Sequence, residues 1–353
     1  MQISISGHTI AFLLVIYTVM FGCTNLSDSA QIKTQIDKVT VKSLADVSEI
    51  VDPANMQWPR VIQAMNGIVS IPAKPSRIIN ASVGHAEITY SLVPANRVVG
   101  VGSATKDHVY SNVSELARKA PIISTDPEVI LAAGPDVIVT SPFLKSETVA
   151  ALTKAGVPVV QTVLSTNIDG QINTILLMGY IYGEEDRAIT LALEVRSRHA
   201  ALQQIVSKKP QESRSNVLSL SYYGDSIYTA GKNSTEGSII ESAGGINVAA
   251  ENGLEWNPTI SIESIISMNP DVIIIPQPAY SQYGNGEDFK ARLINTPALR
   301  TVNAIKNKKI TLVDPKFFTT VSFWNIRGAE ILSEILWPEE MADKVFPHFS
   351  TPE

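Results

Sequence analysis

Residues 127–139 have the sequence PEVILAAGPDVIV, and residues 262–274 have the similar sequence IESIISMNPDVII. In both segments the same interval separates a Glu near the start from the Asp of a Pro-Asp pair. A Gly or Asn just before the Pro is typical of a helix end, and the Val-Ile or Val-Ile-Ile run after the Asp is typical of a buried strand. One helix–strand unit that occurs twice predicts two lobes built alike.

On both sides of this repeat, short β-branched runs alternate with longer helical patterns. Strands are predicted at 77–81, 98–101, 137–140, 157–161, 217–220, 272–275 and 310–313. Helices are predicted at 87–92, 127–133, 146–155, 238–243, 262–268 and 326–336. Strands that alternate with helices form parallel sheets. We therefore predict an α/β fold of two similar Rossmann-like lobes with parallel-type sheets.

A single long helix is predicted between the lobes. Residues 184–208 contain neither Gly nor Pro and carry apolar residues at helical spacing. About 25 helical residues would extend about 37 Å and would join the lobes as a rigid connector. The predicted organisation is a signal peptide at 1–22, a lipid-anchored tether at 23–56, an N-terminal lobe at 57–183, the connecting helix at 184–209 and a C-terminal lobe at 210–353.

The N-terminal residues have the composition of a targeting segment. Thr9–Gly22 is an uncharged apolar run, shorter than the roughly 20 residues of a membrane span. Cys23, the only cysteine, follows it directly and resembles the acylated cysteine of a bacterial lipobox. Phe21 and the lack of Lys or Arg in residues 1–8 depart from that pattern, and an ordinary secretory signal is the alternative. We expect lipidation at Cys23 and an extracytoplasmic, membrane-anchored protein.

Composition and motifs exclude other classes of function. The chain has 28 Lys and Arg against 34 Asp and Glu, a formal net charge of −6, which argues against a nucleic-acid partner. The Gly-x-Ser-x-Gly, P-loop and His-Glu-x-x-His motifs do not occur. We therefore expect neither an enzyme nor an intrinsic cofactor, and we expect a monomer.

Further segments follow the order and spacing of a known family. They are IPAKPSRII at 71–79, AEITYSL at 86–92, VVGV at 98–101 and AGGINVA at 243–249. Together with the repeat, they resemble the class III periplasmic binding proteins over about residues 58–338. The resemblance implies a two-lobed protein that delivers a ligand to the permease subunits of an ABC importer. It also implies a metal chelate as ligand, with an iron–siderophore or corrinoid as the first expectation and haem or a bare metal ion as the alternative.

The same resemblance assigns a docking role to Glu128 and Glu263. In this family a surface Glu on each lobe, at the start of the helix before Pro-Asp, docks onto Arg residues of the permease. A carboxylate in the first turn of a helix is stabilised by the helix dipole. The alternative is that both residues are ordinary helix-start carboxylates.

A ligand cleft is expected where loops at the carboxyl ends of the strands in the two lobes face each other. Aromatic residues are frequent in the C-terminal loops, and their flat faces suit a large, partly apolar ligand. Phe317, Phe318 and Phe323 are expected in the core instead. The candidate ligand-binding residues are Ser82, His85, His108, Tyr222, Tyr223, Tyr280, Trp324 and Arg327.

Three of these candidates have open alternatives. Arg327 could contact an acidic ligand or pair with Glu330 of its own helix. His85 and His108 could supply an axial ligand to a chelated metal, or a direct metal site completed by nearby carboxylates. They could equally be polar groups of exposed loops.

Overall fold

Both lobes are present in the computed structural model, which describes residues 43–280 and 285–352. The predicted signal peptide, Cys23 and the first part of the predicted tether lie outside the described residues. Within the described part of the chain, no helix combines the length and the apolar composition that crossing a membrane requires.

The N-terminal lobe is built on a four-stranded parallel sheet in the order β4-β3-β5-β6. These strands are β3 (Ile78–Asn80), β4 (Val98–Val101), β5 (Val137–Thr140) and β6 (Val159–Gln161). An antiparallel hairpin of β1 (Arg60–Ala64) and β2 (Gly67–Ile71) precedes them. The helices are α1 (Val83–Leu92), α2 (Pro127–Ala132), α3 (Ser146–Lys154) and α4 (Ile168–Tyr182).

The C-terminal lobe has a five-stranded mixed sheet in the order β11-β10-β7-β8, with the short β9 also paired to β7. Only β8 is antiparallel to its neighbour. The strands are β7 (Asn216–Tyr223), β8 (Ser226–Thr229), β9 (Ile246–Asn247), β10 (Val272–Ile275) and β11 (Ile310–Leu312). The helices are α6 (Thr235–Ser242), α7 (Val248–Glu251), α8 (Ile262–Met268), α9 (Gly286–Asn295), α10 (Asn303–Lys306), α11 (Pro315–Phe318), α12 (Asn325–Leu336) and α13 (Pro338–Met341).

The sequence repeat corresponds to a repeated hydrogen-bond arrangement. The Asp136 carboxylate, just before β5, accepts bonds from the backbone N–H groups of Ser76 and Arg77 at 2.7 and 2.9 Å. The Asp271 carboxylate, just before β10, accepts a bond from the Asn216 N–H at 3.0 Å. Each aspartate therefore ties the start of its own strand to the start of the neighbouring strand, which confirms that the lobes share one construction.

The connecting helix, α5 (Glu185–Val206), has 22 residues and extends about 33 Å. It is slightly shorter than the predicted 184–209. Gly183, with φ of 67°, ends the preceding helix α4, which the sequence analysis did not predict. Arg97 Nη1 lies 2.5 Å from Glu184 Oε1, and Arg60 pairs with Glu185, so the start of α5 is fixed to the N-terminal lobe.

Residues 43–56 correct the predicted extent of the tether. Leu44, Val47 and Ile50 are buried in the core, and Ile50 pairs with Ile62 of β1. This part of the chain therefore belongs to the N-terminal lobe. Three apolar residues at intervals of three are too short a pattern to distinguish from a solvated segment in the sequence.

Candidate ligand cleft and docking residues

In the N-terminal lobe, large apolar side chains are exposed just after the ends of two parallel strands. Phe143, three residues after β5, is 92% exposed, and Val163, two residues after β6, is also exposed. The carboxyl ends of parallel strands form one edge of a sheet, the edge at which such folds bind ligands. Phe143 was not among the predicted ligand-binding residues. The feature of the sequence that could have indicated Phe143 is its position in a Ser-Pro loop directly after an apolar strand.

Ser82 and His85 lie at this edge, but only Ser82 is partly accessible. Ser82 precedes α1, and its Oγ lies 2.6 Å from His85 Nδ1. The His85 side chain is fully buried, and burial lowers its pKa to about 4, so the imidazole is neutral at neutral pH. Its Nε2 has no hydrogen-bond partner among the described residues. This burial corrects the prediction that His85 contacts a ligand or metal.

His108 is exposed in the loop that follows β4, as a ligand-contacting residue would be. His85 is buried, whereas the His108 side chain is open to solvent. Within residues 43–280 and 285–352, no group of three His, Cys, Asp or Glu residues is placed to hold a metal ion.

In the C-terminal lobe, two consecutive tyrosines end β7. The Tyr222 ring stacks on Phe289 with centroids 5.4 Å apart, and the Arg292 guanidinium lies 4.3 Å from the Tyr222 ring centroid. Tyr222 is therefore half-buried against α9. Tyr223 is 38% exposed, and its ring centroid is 6.4 Å from that of Tyr228.

The buried Gln277, just after β10, fixes the end of β7. Its Oε1 accepts a bond from the Tyr222 N–H, and its Nε2 donates to the Tyr222 carbonyl, both at 2.9 Å. The Gln277 side chain thus bonds the N–H and the C=O of Tyr222 as the backbone of a neighbouring strand would, and it fixes the backbone next to Tyr223. Tyr280, three residues further along, is 73% exposed. The C-terminal lobe thus presents Tyr223 and Tyr280 at the same edge of its sheet.

Trp324 belongs to the core, contrary to the prediction that it contacts ligand. It is 7% exposed, and its ring lies 5.7 Å from the Phe323 centroid and 5.0 Å from the Phe349 centroid. Phe318 and Phe323 are buried as predicted. Phe349 lies close to the C-terminus, and nothing in the local sequence around Trp324 indicates that it covers this ring.

Arg327 follows the second of its two alternatives. Its Nη1 lies 3.3 Å from Glu330 Oε2 and 3.4 Å from Glu334 Oε1, both on its own helix α12. Glu330 is also bound by the buried Arg198 of α5 through two bonds of 2.7 Å. Arg327 is thus the outer member of a charged group that joins the connecting helix to α12.

The two predicted docking glutamates occupy equivalent exposed positions. Glu128 lies in the first turn of α2, and its N–H donates to the side chain of Asp126. Glu263 lies in the first turn of α8, where the Ser261 side chain accepts a bond from the Ser264 N–H. A hydrogen bond from Ser261 and one from its own backbone hold the pKa of Glu263 below its usual value. Both carboxylates are therefore available to a partner on the cleft side of the sheets, since a helix between parallel strands begins near their carboxyl ends.

The chain is similar in sequence to a known family and to known proteins. The sequence model of the periplasmic binding protein family matches residues 78–317. A cobalamin-binding protein of Halobacterium salinarum is 28% identical over 218 residues, which cover 60% of this chain and 56% of that protein. This chain therefore matches little more than half the length of that relative.

Two further similarities extend over most of the chain. The uncharacterized ABC transporter substrate-binding lipoprotein YvrC of Bacillus subtilis is 23% identical over 337 residues, covering 93% of this chain and 96% of YvrC. The structure of the periplasmic heme-binding protein RhuT from Roseiflexus superposes with a TM-score of 0.64 at 24% identity, covering 75% of this chain and 99% of RhuT. At that identity the structural similarity establishes the fold alone.

Proposed function

Because the chain belongs to the periplasmic binding protein family and has its class III two-lobed fold, we propose that it is the substrate-binding component of an ABC importer for a metal chelate. The family consists of substrate-binding transport proteins and not of enzymes, and it acts outside the cytoplasm. The observation that carries the choice of ligand is the exposure of large apolar side chains at the strand carboxyl ends of both lobes. These are Phe143 and Val163 on one lobe and Tyr223 and Tyr280 on the other.

The chemistry of these side chains favours a large, partly apolar ligand. Exposed aromatic groups grouped at a functional edge mark a binding surface, and their faces stack on flat conjugated rings. Bare metal ions require several convergent N, O or S ligands, and the described residues provide no such group. The relatives in Halobacterium salinarum are named cobalamin-binding proteins. A corrinoid is therefore the first candidate, an iron–siderophore the second, and haem with His108 as axial ligand the alternative.

Lipid anchoring at Cys23 is part of the proposal. The apolar run before Cys23 supports it, as does the name of YvrC, a lipoprotein that matches nearly the full chain. Mass spectrometry of the mature protein should find a diacylglyceryl group on an N-terminal Cys23. Cleavage at another position would contradict the anchor and leave the ligand proposal standing.

Isothermal titration of the protein without residues 1–23 tests the ligand. The panel comprises cyanocobalamin, a ferric hydroxamate, haemin, molybdate and free Fe, Zn, Mn and Ni ions. We expect saturable binding of one chelate, and a loss of affinity of about ten- to a hundredfold for Tyr280→Ala and for Phe143→Ala, since a buried aromatic contact contributes about 1.5–3 kcal/mol.

Trp256→Ala is the matched control. Trp256 is an exposed aromatic residue. Its backbone forms hydrogen bonds with Gly231 and Lys232, which follow β8, and the last residue of β8 pairs with Leu220 of β7, on the side of the amino end of β7. It lies away from the strand carboxyl edge, and its removal should leave affinity unchanged. Binding of bare ions alone, or equal losses for Trp256→Ala and Tyr280→Ala, would overturn the proposal of a chelate bound at that edge.

A further inference from the structure

A buried carboxylate joins the two lobes. Glu87 lies in α1 of the N-terminal lobe and is 0% exposed. Its Oε1 accepts bonds from the backbone N–H and the side-chain amide of Asn112, at 2.9 and 2.8 Å. Its Oε2 accepts a bond from Thr320 Oγ1 at 2.5 Å and another from Ser322 Oγ. Thr320 and Ser322 belong to the C-terminal lobe, so one carboxyl group is shared by both lobes.

The partners of Glu87 are themselves held in place. Asn112 Nδ2 also donates to the Lys316 carbonyl of the C-terminal lobe at 2.8 Å, and Ser322 Oγ accepts a bond from the Trp324 N–H at 3.2 Å. At the start of α1, a Cβ on Gly84 would lie 3.4 Å from the Val321 carbonyl oxygen. The first turns of α1 and residues 319–324 therefore form a close, hydrogen-bonded contact between the lobes.

The position of this contact connects it to the cleft. Helix α1 follows the carboxyl end of β3, and residues 319–324 follow the carboxyl end of β11 by way of α11. Both partners thus start from the ligand-binding edges of their sheets. A contact between them limits how far those edges can separate.

The chemistry of Glu87 is unusual for a purely structural residue. All four of its hydrogen-bond donors are uncharged, and burial raises the pKa of the carboxyl group. Burying a carboxylate without a cationic partner costs free energy that a Gln of the same shape would avoid. In return, hydrogen bonds to a charged acceptor are stronger and more directional than neutral ones.

We propose that Glu87 is a positioning residue that latches the lobes at one spacing and thereby determines the size of ligand that the cleft accepts. The proposal rests on the proposed function, because the cleft must hold a ligand between the lobes. Glu87 itself need not touch the ligand. It acts through residues 319–324, whose placement relative to α1 sets the distance between the two exposed aromatic edges.

The spacing can be measured without any ligand. Spin labels are placed at the exposed Lys154→Cys of the N-terminal lobe and Glu251→Cys of the C-terminal lobe, in a Cys23→Ser background. Pulsed dipolar spectroscopy then gives the distribution of distances between the lobes. We expect Glu87→Ala and the pair Thr320→Val with Ser322→Ala to broaden this distribution, and Glu87→Gln to do so less.

A matched control is available within one lobe. Glu236 is also buried with a raised pKa, but its side chain contacts Asn257 of the same C-terminal lobe at 3.5 Å. Glu236→Gln should leave the distance distribution unchanged. The Thr320 and Ser322 variants leave every N-terminal-lobe partner of Glu87 in place, so they test the latch even where Glu87→Ala fails to fold.

Measuring ligand affinity together with the distance between the lobes distinguishes the latch proposal from the proposed function. Latch variants should bind the chelate at least about fivefold more weakly, because the fraction of molecules with the binding-competent spacing falls. An unchanged distance distribution in Glu87→Ala and in the Thr320/Ser322 pair would overturn the latch while leaving the proposed function intact. A broadened distribution in a protein that binds none of the panel would support the latch and contradict the proposed chelate.

Discussion

At the scale of single residues, the pKa of Glu87 gives a pH dependence with a definite sign. Burial raises the pKa of the folded carboxyl above the ordinary value of 4.5, so protonation favours the folded state. This stabilisation is fully present below the unfolded pKa and is lost as the pH rises through the folded pKa. The uncharged amide of Glu87→Gln does not titrate, so the variant lacks this dependence.

We therefore predict that the wild-type protein loses free energy of unfolding relative to Glu87→Gln as the pH rises above 4.5. The difference should change by about 1.4 kcal/mol for each pH unit between the two pKa values of Glu87. Urea denaturation of both proteins at several pH values measures it. All other titrating groups are common to the two proteins and cancel. A difference that stays constant with pH, or that grows in favour of the wild type, would contradict the assignment.

Residue types predicted the exposure of some side chains in the candidate site and not of others. Tyr223 and Tyr280 are exposed at the strand carboxyl edge as expected, whereas Trp324 lies under Phe349. His85 and His108 occupy similar loops in the sequence, yet one is enclosed and the other exposed. The difference arises from contacts with distant parts of the chain, which local periodicity does not contain. The four bonds to Glu87 could not be predicted for the same reason.

At the scale of helices and strands, the sequence predicts elements whose ends carry a clear signal, such as the Pro-Asp pair before β5 and before β10. The bounds of β4, β5, β10 and α8 agree with the prediction. Helix α4 was missed because it is buried on nearly all sides and contains two Gly residues. One of them, Gly179, allows close packing on α5, since a Cβ there would overlap the Cβ of Ala188. The helical conformation of α4 depends on tertiary packing, so the local sequence gives little indication of a helix.

The attachment of the connecting helix to α12 gives a prediction at this scale. Arg198 is buried, forms two bonds of 2.7 Å with Glu330, and lies 4.1 Å from the Phe349 ring centroid. We predict that Arg198→Met lowers the free energy of unfolding by about 3–5 kcal/mol, because the buried Glu330 carboxylate loses two bonds of 2.7 Å and keeps only the 3.3 Å contact with the partly exposed Arg327.

The double variant Arg198→Met with Glu330→Leu is the control for this prediction. Replacing both charges by apolar groups removes the uncompensated carboxylate, so much of the lost stability should return. Urea denaturation of the wild type and the three variants, including Glu330→Leu alone, gives the coupling between the two residues. Additive losses in the double variant would show that the pair does not couple α5 to α12.

At the scale of the whole molecule, the two lobes are joined by several contacts. A 22-residue helix joins them, the Arg198–Glu330 pair fixes it to α12, and Asn325 Nδ2 donates to the Thr166 carbonyl across the lobes at 3.3 Å. With Glu87 added, the lobes are tied at several points. We infer that ligand binding changes their spacing only modestly, so a transporter must recognise both lobes at once rather than a large closure.

Glu128 and Glu263 place one exposed carboxylate on each lobe, and we propose that they make these contacts. We predict that Glu128→Arg or Glu263→Arg reduces ligand uptake by cells at least about tenfold, since like charges placed against a basic permease surface cost more than 1.4 kcal/mol. Ligand affinity of the purified variants should not change, because neither carboxylate belongs to the aromatic edges. Glu212→Arg, the same reversal at an exposed site before the amino end of β7, should leave uptake intact. Uptake that falls in proportion to affinity, or that falls equally for Glu212→Arg, would show that these glutamates do not form the docking surface.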